Sequence, residues 1–211
     1  LRPASECVTD HCFKFDGEDD YIDFGDILRP SRTGHRTFSF WAKLNSFGGT
    51  VFSTGNLYHS KRGYSLFQPK NKSLVTFSYE LHNSPYKIDL DCDMELNQWM
   101  FFIVSIKPNS PNITFYLYKD GILKDVRNEA MTDSTQIYTS FKVGVNNHGP
   151  SDSQVKEFLN GYVDDFKVFN AIFSEAQIKQ NYIAGLDSLL SKASISKEDY
   201  NERINTLAYD N

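Results

Sequence analysis

The chain has 211 residues, is 40% hydrophobic and 23% charged, and carries a formal net charge of −5. That size and balance suit one large domain, or one domain with a small appendage, with enough apolar surface for a sizeable core. The acidic balance and the lack of a basic run exclude nucleic acid as a partner class, and no apolar run approaches the ~18 residues that a membrane-spanning helix needs.

Aromatic residues make up 15% of the chain, with 17 Phe and 12 Tyr, which favours β structure. Residues 12–15 and 21–24 read as short strands around the turn Asp16-Gly17-Glu18-Asp19. Thr37–Leu44 alternates, with Phe38, Phe40, Ala42 and Leu44 in one phase; Gly48-Gly49 breaks the pattern and Thr50–Ser53 resumes it. Gly63–Phe67 and Leu74–Tyr79 form a predicted hairpin across Pro69-Lys-Asn-Lys. In Tyr86–Glu95, Ile88, Leu90, Cys92 and Met94 share the inward phase, and Asp89, Asp91, Asp93 and Glu95 the outward one. Trp99–Ile106 is nearly all apolar, as a central sandwich strand should be. Ile113–Tyr118 and Ile122–Lys124 flank Lys119-Asp120-Gly121, and an Asp-Gly pair between strands signals a hairpin. Phe141–Val145 and Gly161–Phe169 are the last expected strands, joined by the polar segment 146–156.

After Asn170 the period turns helical. Ser174 with Gln177 makes a capping box that opens a helix to about Ala184. Gly185 is read as an interruption, Leu186, Leu189 and Leu190 as a second amphipathic piece, and Ser196 with Asp199 as the cap of a third. Apolar positions along this tail need a surface, either the sandwich or a neighbouring subunit. The expected organisation is an all-β, antiparallel two-sheet sandwich over residues 1–184 and a helical tail over 185–211. Of the three cysteines, Cys7 and Cys12 close a short loop in an oxidising compartment, and Cys92 reads as a buried core thiol.

In Gly161–Asn170, strict alternation puts Asp164 on one face with Tyr162, Phe166 and Val168. A carboxylate among such neighbours costs several kcal/mol unless something pairs with it. Either backbone amides or a basic side chain cap it, or a metal does.

Several motifs resemble laminin-G-like, concanavalin-A-like jelly-roll domains, in the family's order: Phe15-Asp-Gly-Glu-Asp-Asp-Tyr-Ile22, Phe38-Ser-Phe-Trp-Ala-Lys43, Trp99-Met-Phe-Phe102, Tyr118-Lys-Asp-Gly121, Val143-Gly144 and the stretch Gly161–Asn170. The resemblance covers about residues 12–184. It implies two antiparallel sheets face to face with the first and last strands adjacent. It also implies a module that binds glycans or proteins, in many cases with a structural calcium ion. On that basis Asp16, Asp20 and Asp164, with backbone carbonyls, are expected to hold one calcium. The tail, from Ile178 to Leu190 and Ile195 to Ile204, resembles the C-terminal segment of bacterial pilin-like proteins. That resemblance implies other pilus or surface subunits as partners, and a membrane contact only through a helix upstream of Leu1.

Sugar sites need aromatic platforms and a few polar groups. The segments containing Tyr58, His59 and Arg62, His82 and Tyr86, and Asn147 and His148 offer both, and are the expected glycan contacts. The acidic series Asp89, Asp91, Asp93 and Glu95 suggests a glycosidase, but lacks the leading Glu of the fold's glucanase motif; a charged edge strand is the competing account. No Ser/His/Asp or Cys/His constellation is present, and the five histidines have no ligand spacing. The chain therefore reads as a non-catalytic extracellular or cell-surface module, the head of a pilin-like or adhesive protein. The alternatives are a carbohydrate-binding module of a larger secreted enzyme and a glycosidase.

Overall fold

The computed structural model describes residues 1–28, 34–54, 63–70, 72–80, 87–130, 140–147 and 155–209. Its first sheet runs, in spatial order, β1 (Phe13–Asp16), β14 (Asn160–Phe169), β3 (Arg36–Leu44), β8 (Met100–Asn109), β9 (Asn112–Lys119) and β10 (Ile122–Ala130). The second runs β2 (Ile22–Asp23), β11 (Lys142–Val143), β4 (Thr50–Thr54), β5 (Gly63–Phe67), β6 (Leu74–Glu80) and β7 (Lys87–Asp93). Both are antiparallel, and the first and last strands are neighbours, as the family pattern implies. The segment read as a polar connection contributes a two-stranded ribbon, β12 (Asn146–Asn147) with β13 (Val155–Lys156).

Alternation builds the core between the sheets. In β3 the phase of Phe38, Phe40, Ala42 and Leu44 faces inward, against Phe52, Tyr64 and Leu66 of the second sheet. The Phe38 and Phe52 rings stack at 4.9 Å between centroids. Each fully buried ring of this kind contributes roughly 1.5–3 kcal/mol. Cys92 is buried in the same core, where desolvation pushes its thiol up to about 12.

The first sheet is apolar on its outer face too. Trp41, Trp99, Phe101, Ile103 and Tyr118 pack there against Ile178, Tyr182, Leu186 and Leu189 of α1 (Glu175–Ser191) and Leu207 of α2 (Lys197–Tyr209). This double burial is why Trp99–Ile106 lacks alternation, and it places both tryptophans beneath the helices rather than on an open face. The tail folds back on its own sandwich.

The Ser174 capping box forms: the Gln177 amide donates to Ser174 Oγ at 3.3 Å, and the Ser174 amide to Gln177 Oε1 at 2.9 Å. The expected break at Gly185 does not occur, since α1 continues to Ser191. Gly185 serves close approach instead. A Cβ there would lie 2.2 Å from Trp41 Cζ2, so glycine lets the helix settle on the indole.

Candidate functional site

The sheet ladder explains Asp164 first. Register along β14 shifts between Asp164 and Lys167, with Asp165 at φ 51°. This bulge breaks the strict alternation expected from sequence. Phe166 and Val168 turn to the inner core, while Tyr162 packs on the helix side. Asp164 is 2% exposed and accepts three hydrogen bonds: from the Thr9 amide at 2.7 Å, the Thr9 hydroxyl at 2.5 Å and the Asp165 amide at 2.7 Å. Amides and a hydroxyl therefore pair with this carboxylate. The cap holds the loop closed by the Cys7–Cys12 disulfide. From the other side, Lys192 Nζ donates to the carbonyls of Val8 at 2.9 Å and Thr9 at 2.5 Å, and Ser188 Oγ to Val8 O at 2.5 Å.

The structure does not bring Asp16, Asp20 and Asp164 together. Asp16 pairs with Asn160 at one end of the β1–β14 ladder, whereas Asp164 lies past Val163, the partner of Phe13, at the other. The carboxylates that converge, to within 4.8 Å, are those of Asp16, Asp19 and Asp20. In this turn Asp16 Oδ1 accepts from the Glu18 amide at 2.8 Å, and hydrogen bonds of this kind hold the Asp16 carboxyl below its ordinary value. A calcium shared by the three expected residues thus has no geometric basis; among the described residues, the turn offers the compact set of three carboxylates.

Of the expected glycan contacts, Tyr58, His59, Arg62, His82, Tyr86 and His148 lie outside the described residues, and Asn147 enters only as backbone of β12. Of the acidic series, Asp89, Asp91 and Asp93 sit on β7, the terminal strand of the second sheet, and Glu95 lies just beyond it. There Asp91 Oδ1 accepts from the Thr76 hydroxyl at 2.6 Å.

A different feature emerges from the register of the second sheet. Asp23 pairs with Lys142, Lys142 with Ser53, Ser53 with Ser65, Ser65 with Ser78, and Ser78 with Asp89. Directly paired residues share a face, so one row of six polar side chains crosses all six strands. It occupies the face opposite to Leu66, Phe77 and Leu90, which fill the core. At one end the Lys142 ammonium meets Asp23 Oδ2 at 2.5 Å and lies 4.7 Å from the Tyr21 ring centroid. Desolvation raises the Asp23 carboxyl, but the bonds from Lys142, the Gly25 amide and Ser140 outweigh it and hold the group below its ordinary value. In the middle, Ser53 Oγ donates to Val145 O at 2.9 Å, while the hydroxyls of Ser65 and Ser78 are fully buried with no hydrogen-bond partner among the described residues. Each orphan costs about 1–3 kcal/mol, so the row is held at the expense of stability.

The two outer faces therefore differ in kind. One is apolar and closed by helices; the other carries a polar row with unused donors and acceptors. Sequence reasoning had placed Ser65 and Ser78 on the two strands of a predicted hairpin, without a phase for either. It missed the row, because only register across strands aligns them.

Residues 16–179 match a laminin G family described as the concanavalin A-like lectin/glucanases superfamily. The chain belongs to this superfamily. The C-terminal residues that resemble pilin-like proteins extend beyond the match. No curated protein matches the chain. Among solved structures, the sialidase carbohydrate-binding module of Ruminococcus gnavus bound to α2,3-sialyllactose has a TM-score of 0.60 at 14% identity, covering 83% of this chain and 99% of that one. The NanB sialidase of Streptococcus pneumoniae gives 0.61 at 12% identity, covering 80% of this chain but 27% of the enzyme. A pentraxin of Limulus polyphemus gives 0.54 at 14% identity, covering 79% and 78%. At these identities the likeness is one of fold. No helix of the described residues is long and apolar enough to cross a membrane.

Proposed function

We propose that this domain is a non-catalytic, extracellular carbohydrate-binding module that takes its ligand on the outer face of the second sheet. The observation that carries the reading is the polar row Asp23–Lys142–Ser53–Ser65–Ser78–Asp89, with the Ser65 and Ser78 hydroxyls unpaired among the described residues. A sugar offers hydroxyls that both donate and accept, the chemistry an orphan serine hydroxyl needs. The similarity in fold to a module bound to sialyllactose supports the class of ligand. Because Ser65 and Ser78 are buried, a ligand reaches them only when this face opens. Association is then slower than at an open groove.

The test is a glycan array probed with the wild-type domain and with the Ser65→Ala/Ser78→Ala double variant. Binding that the double variant loses supports the reading. Binding that it retains in full moves the site elsewhere, and an empty array leaves a structural or protein-binding domain. Attachment to a surface filament, which the tail's resemblance to pilin-like proteins implies, is a separate proposal. Co-purification with filament subunits checks it, and a domain recovered only as a free monomer from its native surface speaks against it. A structural calcium, the third proposal, belongs on the Asp16–Asp19–Asp20 turn, where three carboxylates converge.

A further inference from the structure

We propose a second ligand site, for a free α-amino acid, in the cleft between the end of the sandwich and α2. The cleft holds a cavity of about 320 Å³ whose lining includes Glu95, Lys119, Asp120, Tyr182, Glu202 and Arg203. That volume is at the small end of the ~300–1,000 Å³ typical of ligand pockets. One wall is α2, which begins at Lys197, beyond the residues that match the superfamily. The cleft is therefore an addition to the shared fold and independent of the polar row on the second sheet.

Lys119 points to the ligand. It ends β9 in the inward phase of Ile113, Phe115 and Leu117 and is 9% exposed. Among the described residues its ammonium makes no hydrogen bond; its one ion-pair partner there, Glu95 Oε1, is 4.0 Å away. An ammonium has three donors, and since Lys119 lines the cleft with only this long ion pair, they are available to a ligand there. Arg203, a partly buried cation of the cleft, contrasts with it. Each of its three nitrogens already donates, to Asp199 Oδ1 at 2.8 Å, Trp99 O at 2.8 Å and Gln98 Oε1 at 3.1 Å, which fixes it as part of the wall.

The cleft thus asks first for a carboxylate. A simple carboxylate would satisfy Lys119 and leave the acids of the lining facing it. Asp120, left-handed at φ 53° in the β9–β10 turn, accepts one bond from the Phe101 amide at 2.8 Å, and burial pushes its carboxyl upward. Glu202 adds a second carboxylate on α2. A ligand with an ammonium one carbon from its carboxylate meets both demands, and that is an α-amino acid.

Isothermal titration and thermal shift of the full chain against the twenty amino acids, acetate and methylamine test the assignment. At least one amino acid is expected to bind and raise Tm, with acetate and methylamine at least tenfold weaker. Lys119→Met should weaken that binding at least tenfold, and Glu202→Gln, an exposed change that spares the fold, several-fold. Ser65→Ala should leave it unchanged, which separates this site from the glycan reading. No amino acid binding at millimolar concentration, acetate binding equally well, or full binding by the Glu202→Gln and Lys119→Met variants would each overturn the proposal.

Discussion

Replacing Ser65 and Ser78 by alanine should push stability and ligand binding in opposite directions. Both hydroxyls are fully buried without a partner among the described residues, and an orphan of this kind costs about 1–3 kcal/mol. Deleting the oxygen leaves a small void, worth roughly 0.5 kcal/mol at ~24 cal/mol per Å³ for a volume near 20 Å³. The balance is a gain of about 1 kcal/mol per site, or about 2–4 °C in Tm for a domain of this size. The two residues are cross-strand partners, so the double variant should fall short of the sum. Each lost hydrogen bond to a sugar is worth about 0.5–1.5 kcal/mol, roughly a two- to tenfold loss of affinity. Calorimetric melting, paired with titration of a glycan selected on the array, reads both quantities. A side chain kept for ligand rather than for the fold shows this inverse pattern. A lower Tm with unchanged affinity would refute the reasoning.

Other expectations follow from single contacts. Gly185→Ala gains up to ~1 kcal/mol of helix propensity, but its methyl meets the Trp41 ring at 2.2 Å. Overpacking of this kind costs about 1–3 kcal/mol, so Tm should drop and tryptophan fluorescence should report a more exposed indole. Asp164→Ala orphans the Thr9 amide and should cost about 1–3 kcal/mol, with faster hydrogen exchange in the Cys7–Cys12 loop. A calcium titration should raise Tm through the Asp16–Asp19–Asp20 turn; the gain should survive Asp164→Asn and vanish in Asp19→Asn, and a gain that vanishes with Asp164→Asn instead would reverse the assignment. Asp23 titrates below its ordinary value when folded. Its contribution is therefore full above the unfolded value near ~3.9 and is lost as pH falls through the folded one. Asp23→Asn should flatten the acid limb of the stability curve below about pH 4, an effect absent if Lys142 does not hold the carboxylate.

How much of this was legible in the sequence depends on whether a feature is local. Phe38, Phe40, Ala42 and Leu44 announce their inward phase unaided, and so do the caps at Ser174 and Ser196, where Ser196 Oγ accepts from the Asp199 amide at 3.1 Å. The bulge at Asp165 was not legible, since nothing marks an aspartate for a positive φ. Strict alternation therefore misplaced Phe166 and Val168 and left Asp164 looking like an intruder in a core. Gly185 was misread for the opposite reason: a glycine in a helical pattern looks like a break until the indole it accommodates is found on another strand. The polar row is the extreme case. Ser53, Ser65 and Ser78 are ordinary outward residues each in its own strand, and only pairing across β4, β5 and β6 makes them neighbours.

The most direct measurement of the central claim is hydrogen–deuterium exchange of the domain with and without a glycan selected on the array. Protection concentrated on β4, β5, β6 and β7, with α1 and α2 unchanged, is the expected result. Protection confined to the helices and the first sheet would place the ligand on the other face and contradict the account.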